Sequence, residues 1–149
     1  MQVAVKNNTG SSLSAISLSY SGEQWRQSQG TSSSGLEMLF VLVSTTSAID
    51  GFQPLGSAFD FTAPLQGPGD IGLNGNAAAI RAVINGTAVL PTPVPNGGTL
   101  YVRWHDWNDN GTTDHFLAID DVRIAAIPEP GVLSILLLGV GGLIAWRRK

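Results

Sequence analysis

"AISLSY", residues 15–20, sets Ile16, Leu18 and Tyr20 at every second position, with Ala15, Ser17 and Ser19 between them. Successive side chains of an extended chain point to opposite faces, so this spacing makes one apolar and one polar face only as a β-strand. The same reading extends outward. In "LEMLFVLV" (36–43), Met38, Phe40 and Leu42 share one face and Leu39, Val41 and Val43 the other, so a central strand covered on both faces is expected. Further strands are expected in "SAFDFTA" (57–63, Phe59 and Phe61 on one face), "AAIRAVING" (78–86, with Ile80, Ala82 and Ile84) and "TLYVRWHDW" (99–107, with Leu100, Val102 and Trp104). A last one is expected in "HFLAIDDVRIAA" (115–126).

Between these runs lie "GTSSSG" (30–35), "LQGPGDIGLNGN" (65–76) and "LPTPVPNGG" (90–98), whose Gly, Pro, Asn and Ser supply turn geometry. Pro91, Pro93 and Pro95 lack backbone donors and predict an extended edge or a loop. No helical period occurs before residue 131. Six or more strands at this spacing predict an all-β fold, a two-sheet antiparallel sandwich of jelly-roll type, with a barrel as the competing arrangement.

The chain of 149 residues has room for one domain. Only 13% of its residues are charged, and 18 Gly with 8 Pro suit a loop-rich β protein. The absence of cysteine excludes disulfide frameworks and Cys-based zinc or redox centres. Residues 1–127 carry ten acids against five Lys and Arg, whereas residues 128–149 set Glu129 against Arg147, Arg148 and Lys149. An acidic body without a basic stripe argues against nucleic acid as a partner.

The ending "IPEPGVLSILLLGVGGLIAWRRK" (127–149) breaks with all of this. Residues 131–146 form an uncharged run that spans about 24 Å as a helix, against a hydrocarbon core of ~30 Å. Trp146 suits a membrane interface, and Arg147, Arg148 and Lys149 can snorkel while holding the C-terminus on the cytoplasmic side. A single transmembrane-like helix over 131–146 with a basic end at 147–149 is expected, weakened by Gly139, Gly141 and Gly142. A buried core helix or strand is the competing reading.

Pro128-Glu129-Pro130, the apolar run and the terminal Arg147-Arg148-Lys149 cluster together resemble the C-terminal sorting signal of PEP-CTERM proteins. The resemblance implies export, transient retention in the inner membrane and recognition by exosortase, a membrane protease-transpeptidase of Gram-negative bacteria that make exopolysaccharide. It also implies cleavage near the triplet, with release or transfer to the outer surface or extracellular matrix. The chain is therefore divided into a β-sandwich body, 1–126, and a sorting signal, 127–149. "MQVAVKNNTG" begins almost inside a strand without a basic n-region or an apolar h-region. Because the tail serves an exported body, the natural start is expected upstream of Met1.

The densest chemistry lies in "RWHDWNDNGTTDHFLAIDD" (103–121). Asp106, Asn108, Asn110 and Asp114, with Gly111 at the sharp turn, follow the oxygen-ligand spacing of a Ca²⁺ loop. Leu117 stands where the bidentate Glu of an EF-hand would be, so the expectation is at most a weak, looser Ca²⁺ loop between strands. A solvated hairpin competes with it. "LAIDDVRI" (117–124) puts Ala118, Asp120, Val122 and Ile124 on one face; were that face the core, Asp120 would need a partner such as Arg103 or Arg26. This segment resembles the last strand of extracellular jelly-roll modules of the MAM and carbohydrate-binding kinds. Trp25 and Trp104 are expected in the core, whereas Trp107 beside the acidic loop could stack on a sugar.

His105 and His115 are the candidate neutral-pH bases for a metal-dependent hydrolase. No H-E-x-x-H, G-x-S-x-G or P-loop accompanies them, so no enzyme is expected. The sequence thus points to an exported surface or matrix protein, structural or polysaccharide-associated, with a Ca²⁺-assisted carbohydrate-binding module as the alternative and a hydrolase as the more remote one.

Overall fold

A computed structural model describes residues 1–28, 37–66, 69–106 and 115–128. Nine strands occur among them: β1 (Gln2–Lys6), β2 (Leu13–Gln27), β3 (Met38–Ser44), β4 (Gln53–Pro54), β5 (Phe61–Thr62), β6 (Ile71–Gly72), β7 (Arg81–Val94), β8 (Thr99–Asp106) and β9 (Phe116–Pro128). All pairings are antiparallel and form two sheets. One runs β1-β8-β3, with β4 and β5 sharing the far side of β3; in the other, β9 and β7 flank β2, and β6 also pairs with β2.

The alternation of residues 15–20 decides the packing. Ile16, Leu18 and Tyr20 are buried and meet Val41, Val43, Leu100, Val102 and Trp104 from the opposite sheet in a single apolar core. The Tyr20 and Trp104 rings meet edge to face at 5.5 Å, and the Tyr20 hydroxyl donates to the Phe59 carbonyl at 2.7 Å. Burial, and next the nearby Asp60 carboxylate, push the Tyr20 hydroxyl well above the ordinary tyrosine range, so it stays a donor. Gly22 continues the core face of β2, where the Phe61 ring lies 2.2 Å from the place a Cβ would occupy.

β3 is central, as expected, but its two faces differ. Leu39, Val41 and Val43 are buried, while Met38, Phe40 and Leu42 are half-buried. Phe40 and Leu42 line a shallow outer hollow of about 300 Å³ with Pro54 and His105. The free edge of β3 is completed piecewise. β5 pairs at Met38 and Leu39, β4 pairs at Leu42 and Val43, and between them the Val41 N–H donates to Asp60 Oδ1 at 2.9 Å. The Asp60 side chain thus fills a missing rung, and burial raises its carboxyl above the usual aspartate range.

The prolines of "LPTPVPNGG" lie in and just beyond an edge strand. Ala15 pairs with Val89 but Leu13 pairs with Val94, so residues 90–93 of β7 make an excursion opposite Ser14. Pro91 and Pro93 fall within it, where no ladder donor is required. At the same end the β1–β2 and β7–β8 connections are knitted together. Asn7 Nδ2 donates to the Val94 and Ser11 carbonyls, and the Gly10 N–H donates to Asn96 Oδ1.

No α-helix occurs among the described residues, and no helix there is long and apolar enough to cross a membrane. The expected span 131–146 and basic end 147–149 lie outside the described residues.

Candidate functional site

β9 departs most from its simple reading. Ser19 pairs with Arg123 but Ser21 pairs with Asp120, so two residues of β9 face one of β2. Asp121 sits at this bulge with φ 53°, in the left-handed region, and its N–H donates to Asp120 Oδ1 at 2.7 Å. The bulge switches the strand's faces. Leu117 and Ile119 pack on the core before it and Val122 and Ile124 after it, so neither face assigned by strict alternation is the core face throughout. Asp120 is exposed, and Arg103 and Arg26 are engaged elsewhere. Arg26 pairs with Asp70 at 2.6 Å, while Arg103 bonds Gln2 and the Ala48 carbonyl and lies over the Phe52 ring.

The partner of this segment is Arg81. Its Nη2 donates to Asp121 Oδ2 and to Ser21 Oγ, both at 2.7 Å, and its Nε lies 3.7 Å from Glu23 Oε1. Glu23 is 3% exposed, and its other oxygen accepts from Trp25 Nε1 at 3.0 Å. One guanidinium therefore ties β7 to both β2 and the bulge of β9. Trp25 is half-buried and covered by the backbone at Gly75; it caps this polar cluster and stands outside the core that the sequence assigned it, whereas Trp104 lies in the core.

On the inner side, Gln24 is fully buried. Its amide accepts from the Leu65 N–H and donates to the Leu65 carbonyl at 2.9 and 3.0 Å, as a strand would, and its Nε2 lies 2.8 Å from His115 Nδ1. With Gln24 donating, His115 Nδ1 is the acceptor and Nε2 carries the proton. His115 is 3% exposed, whereas His105 faces outward on β8. The His115 ring is thus buried and hydrogen-bonded to Gln24.

Asp106 ends β8 and is exposed; Trp107, Asn108, Asn110 and Asp114 lie outside the described residues. No group of three His, Asp or Glu side chains able to hold a metal occurs among the described residues. Beside Asp106, between the points where the chain leaves β8 and enters β9, a cleft of about 330 Å³ opens between the sheets. Leu39, Trp104, Leu117 and Ile119 are among its walls.

At its other end β9 keeps its ladder to the last residue. Ala126 pairs with Ile16, Ile127 with Ala15 and Pro128 with Leu13. The strand thus crosses the boundary expected at residue 127, and Pro128 belongs to the sheet. Proline is accommodated there because β9 is an edge strand at its end. Glu129, Pro130, Trp146, Arg147, Arg148 and Lys149 lie outside the described residues.

Arg81 and the bulge are the features that sequence reasoning missed. The signal was present: Ile119 and Val122 are three residues apart in an otherwise alternating run, the spacing a one-residue bulge leaves.

Residues 126–149 match the model of the PEP-CTERM protein-sorting motif. No curated protein and no solved structure matches the chain.

Proposed function

We propose that this chain, whose residues 126–149 carry a PEP-CTERM sorting motif, is a non-catalytic exported β-sandwich delivered to the cell surface or matrix, with a structural or polysaccharide-associated body. Proteins bearing the motif are substrates of exosortase, a membrane enzyme, so export and membrane-associated processing follow from the motif itself. The observation that carries the reading is the junction. The motif begins inside β9, and the paired sheet extends to Pro128, so a cut after the triplet leaves every described strand intact. A jelly-roll type of arrangement is supported by β1-β8-β3 in one sheet and β2 beside β7 in the other, with β9 pairing on the other side of β2.

Mass spectrometry of the surface-located protein tests the sorting reading. A mature C-terminus within residues 128–131 is expected, and an intact Lys149 overturns processing.

A second reading, a Ca²⁺-assisted carbohydrate-binding module, is favoured by the cleft beside Asp106, whose volume falls within the range of ligand sites, roughly 300–1,000 Å³. Asn108, Asn110 and Asp114 would supply further oxygens, and Trp107 an apolar platform for a sugar. Glycan arrays with and without EDTA decide it: no glycan retained, together with no Ca²⁺-dependent rise in melting temperature, excludes this module.

A further inference from the structure

We infer that the tail-proximal end of the sandwich is a membrane-contact face that rests on the lipid headgroups while the chain is held by its tail. This rests on the membrane-processing reading and adds which surface of the body faces the bilayer.

In sequence, only Glu129 and Pro130 separate Pro128 from the uncharged run that begins at Gly131. Pro128 and Gly131 are three residue steps apart, which reach no more than about 11 Å fully extended. Because Pro128 is paired to Leu13 in the sheet, this short tether fixes which end of the body meets the bilayer. That end is built from the β1–β2 connection, the β7–β8 connection with the 90–93 excursion, and the last turn of β9.

Its chemistry fits such a contact. Residues 7–15, 87–98 and 125–128 contain no Asp, Glu, Lys, Arg or His. The nine-residue stretch 7–15, between the end of β1 and Ala15, is rimmed by the exposed Lys6, a cation suited to anionic headgroups. Val89 is 78% exposed and Ile127 37% exposed, flanking Ala15 in one row across the outer face of the sheet. Pro91, Thr92 and Pro93 project beside them, also exposed. Asn7 and Asn96 satisfy the backbone of these loops internally, so the surface can lose water without orphaning those peptide groups.

The opposite end carries an excess of acid, although Arg26 pairs with Asp70 and Arg81 with Asp121 there. Asp70, Asp106, Asp120 and Asp121 are exposed on it or toward it, beyond the middle of β2. Ser21, opposite Asp120, lies eight residues from Leu13, about 26 Å along a strand and about three Debye lengths of ~8 Å at physiological salt; Asp70 and Asp106 lie farther still. These four carboxylates are thus kept away from anionic lipid; Asp50, exposed in the connection that follows Ser44, is the acid on the tail-proximal side, while the loops beside Pro128 present no charge but Lys6 at their rim.

Because the sequence has no cysteine, single cysteines can be placed at will. Thr92→Cys and Asn8→Cys report the tail-proximal end and Ala78→Cys the far end, each labelled with an environment-sensitive fluorophore. The full chain is reconstituted into phosphatidylethanolamine–phosphatidylglycerol vesicles carrying a headgroup-level quencher. Expected are flotation with the vesicles, blue-shifted emission at 92 and 8, and quenching there several-fold above that at 78. Thr92→Glu in the Asn8→Cys background should reduce the quenching at 8 without lowering flotation.

A chain that stays in the aqueous fraction overturns the membrane reading and this inference with it. A chain that floats while 92 and 8 are quenched no more than 78 overturns this inference alone. A blue shift at 92 that grows with protein density and ignores the quencher assigns the face to a second copy of the chain, and equally overturns it.

Discussion

Arg81 shows how much one side chain settles in this molecule. It lies between a nearly buried carboxylate on β2 and an exposed one on the β9 bulge, and it satisfies the Ser21 hydroxyl as well. Its contribution is chiefly the removal of a penalty, since Glu23 is 3% exposed and without Arg81 would be a desolvated anion held by the Trp25 indole. Arg81→Ala should therefore cost about 3 kcal/mol in urea unfolding, and adding Glu23→Gln should recover part of that loss. Equal stability of the single and double variants would show that the pairing carries no weight. Asp60 behaves oppositely. Its carboxyl is raised by burial, so the folded state holds its proton to higher pH than the unfolded state does. The penalty for ionising it is present above the raised folded value and fades as pH falls through that value toward the ordinary aspartate value. Asp60→Asn keeps an oxygen for the Val41 N–H, so it should melt higher than the parent at pH 7, with the gap closing in acid. A gap independent of pH between 7 and 3 would contradict this.

At the scale of the element, β9 illustrates how a sheet corrects its own register. A run alternating without interruption from Leu117 would place Asp121 on the core face; the extra residue lets Leu117 and Ile119, then Val122 and Ile124, all face inward. Removing one of the two adjacent aspartates leaves the four apolar residues in strict alternation. That deletion should lower the melting temperature less than deletion of Ala118, which forces Leu117 or Ile119 off the core face. The opposite ranking in thermal scans would refute the account of the bulge. β2 and β3 were legible because alternation alone orders Ile16, Leu18 and Tyr20, or Leu39, Val41 and Val43. β4 and β6 were not, because two-residue strands are held by their neighbours and have no period of their own; β5 lies within the strand expected over 57–63, which forms pairs only at Phe61–Thr62 because Ser57–Phe59 make a 3-10 turn.

Across the whole molecule the chain is polarised, with few charges at the end that meets the sorting motif and Asp70, Asp106, Asp120 and Asp121 toward the other. β9 is the element that joins them, paired with β2 from Phe116 to Pro128. A chain ending at Pro128 should retain the thermal stability of the full-length protein. One ending at Asp120 strips Val122 and Ile124 from the core and the outer edge from β2, and should lose cooperative unfolding. Comparable melting of the two truncated chains would mean that β9 is dispensable to the body.

The sequence by itself determined the all-β class, the identity of most core residues and the sorting motif, because each depends on local order: a period of two, turn residues between strands, and a triplet, apolar run and basic end in succession. Tertiary structure decided which face of β9 is buried, that Asp121 and not Asp120 receives an arginine, that His115 is enclosed by Gln24, and that Pro128 closes a strand. These outcomes depend on which residues meet across the sheets. Arg81 and Asp121 are 40 positions apart and Gln24 and His115 are 91 apart, so no local pattern could pair them.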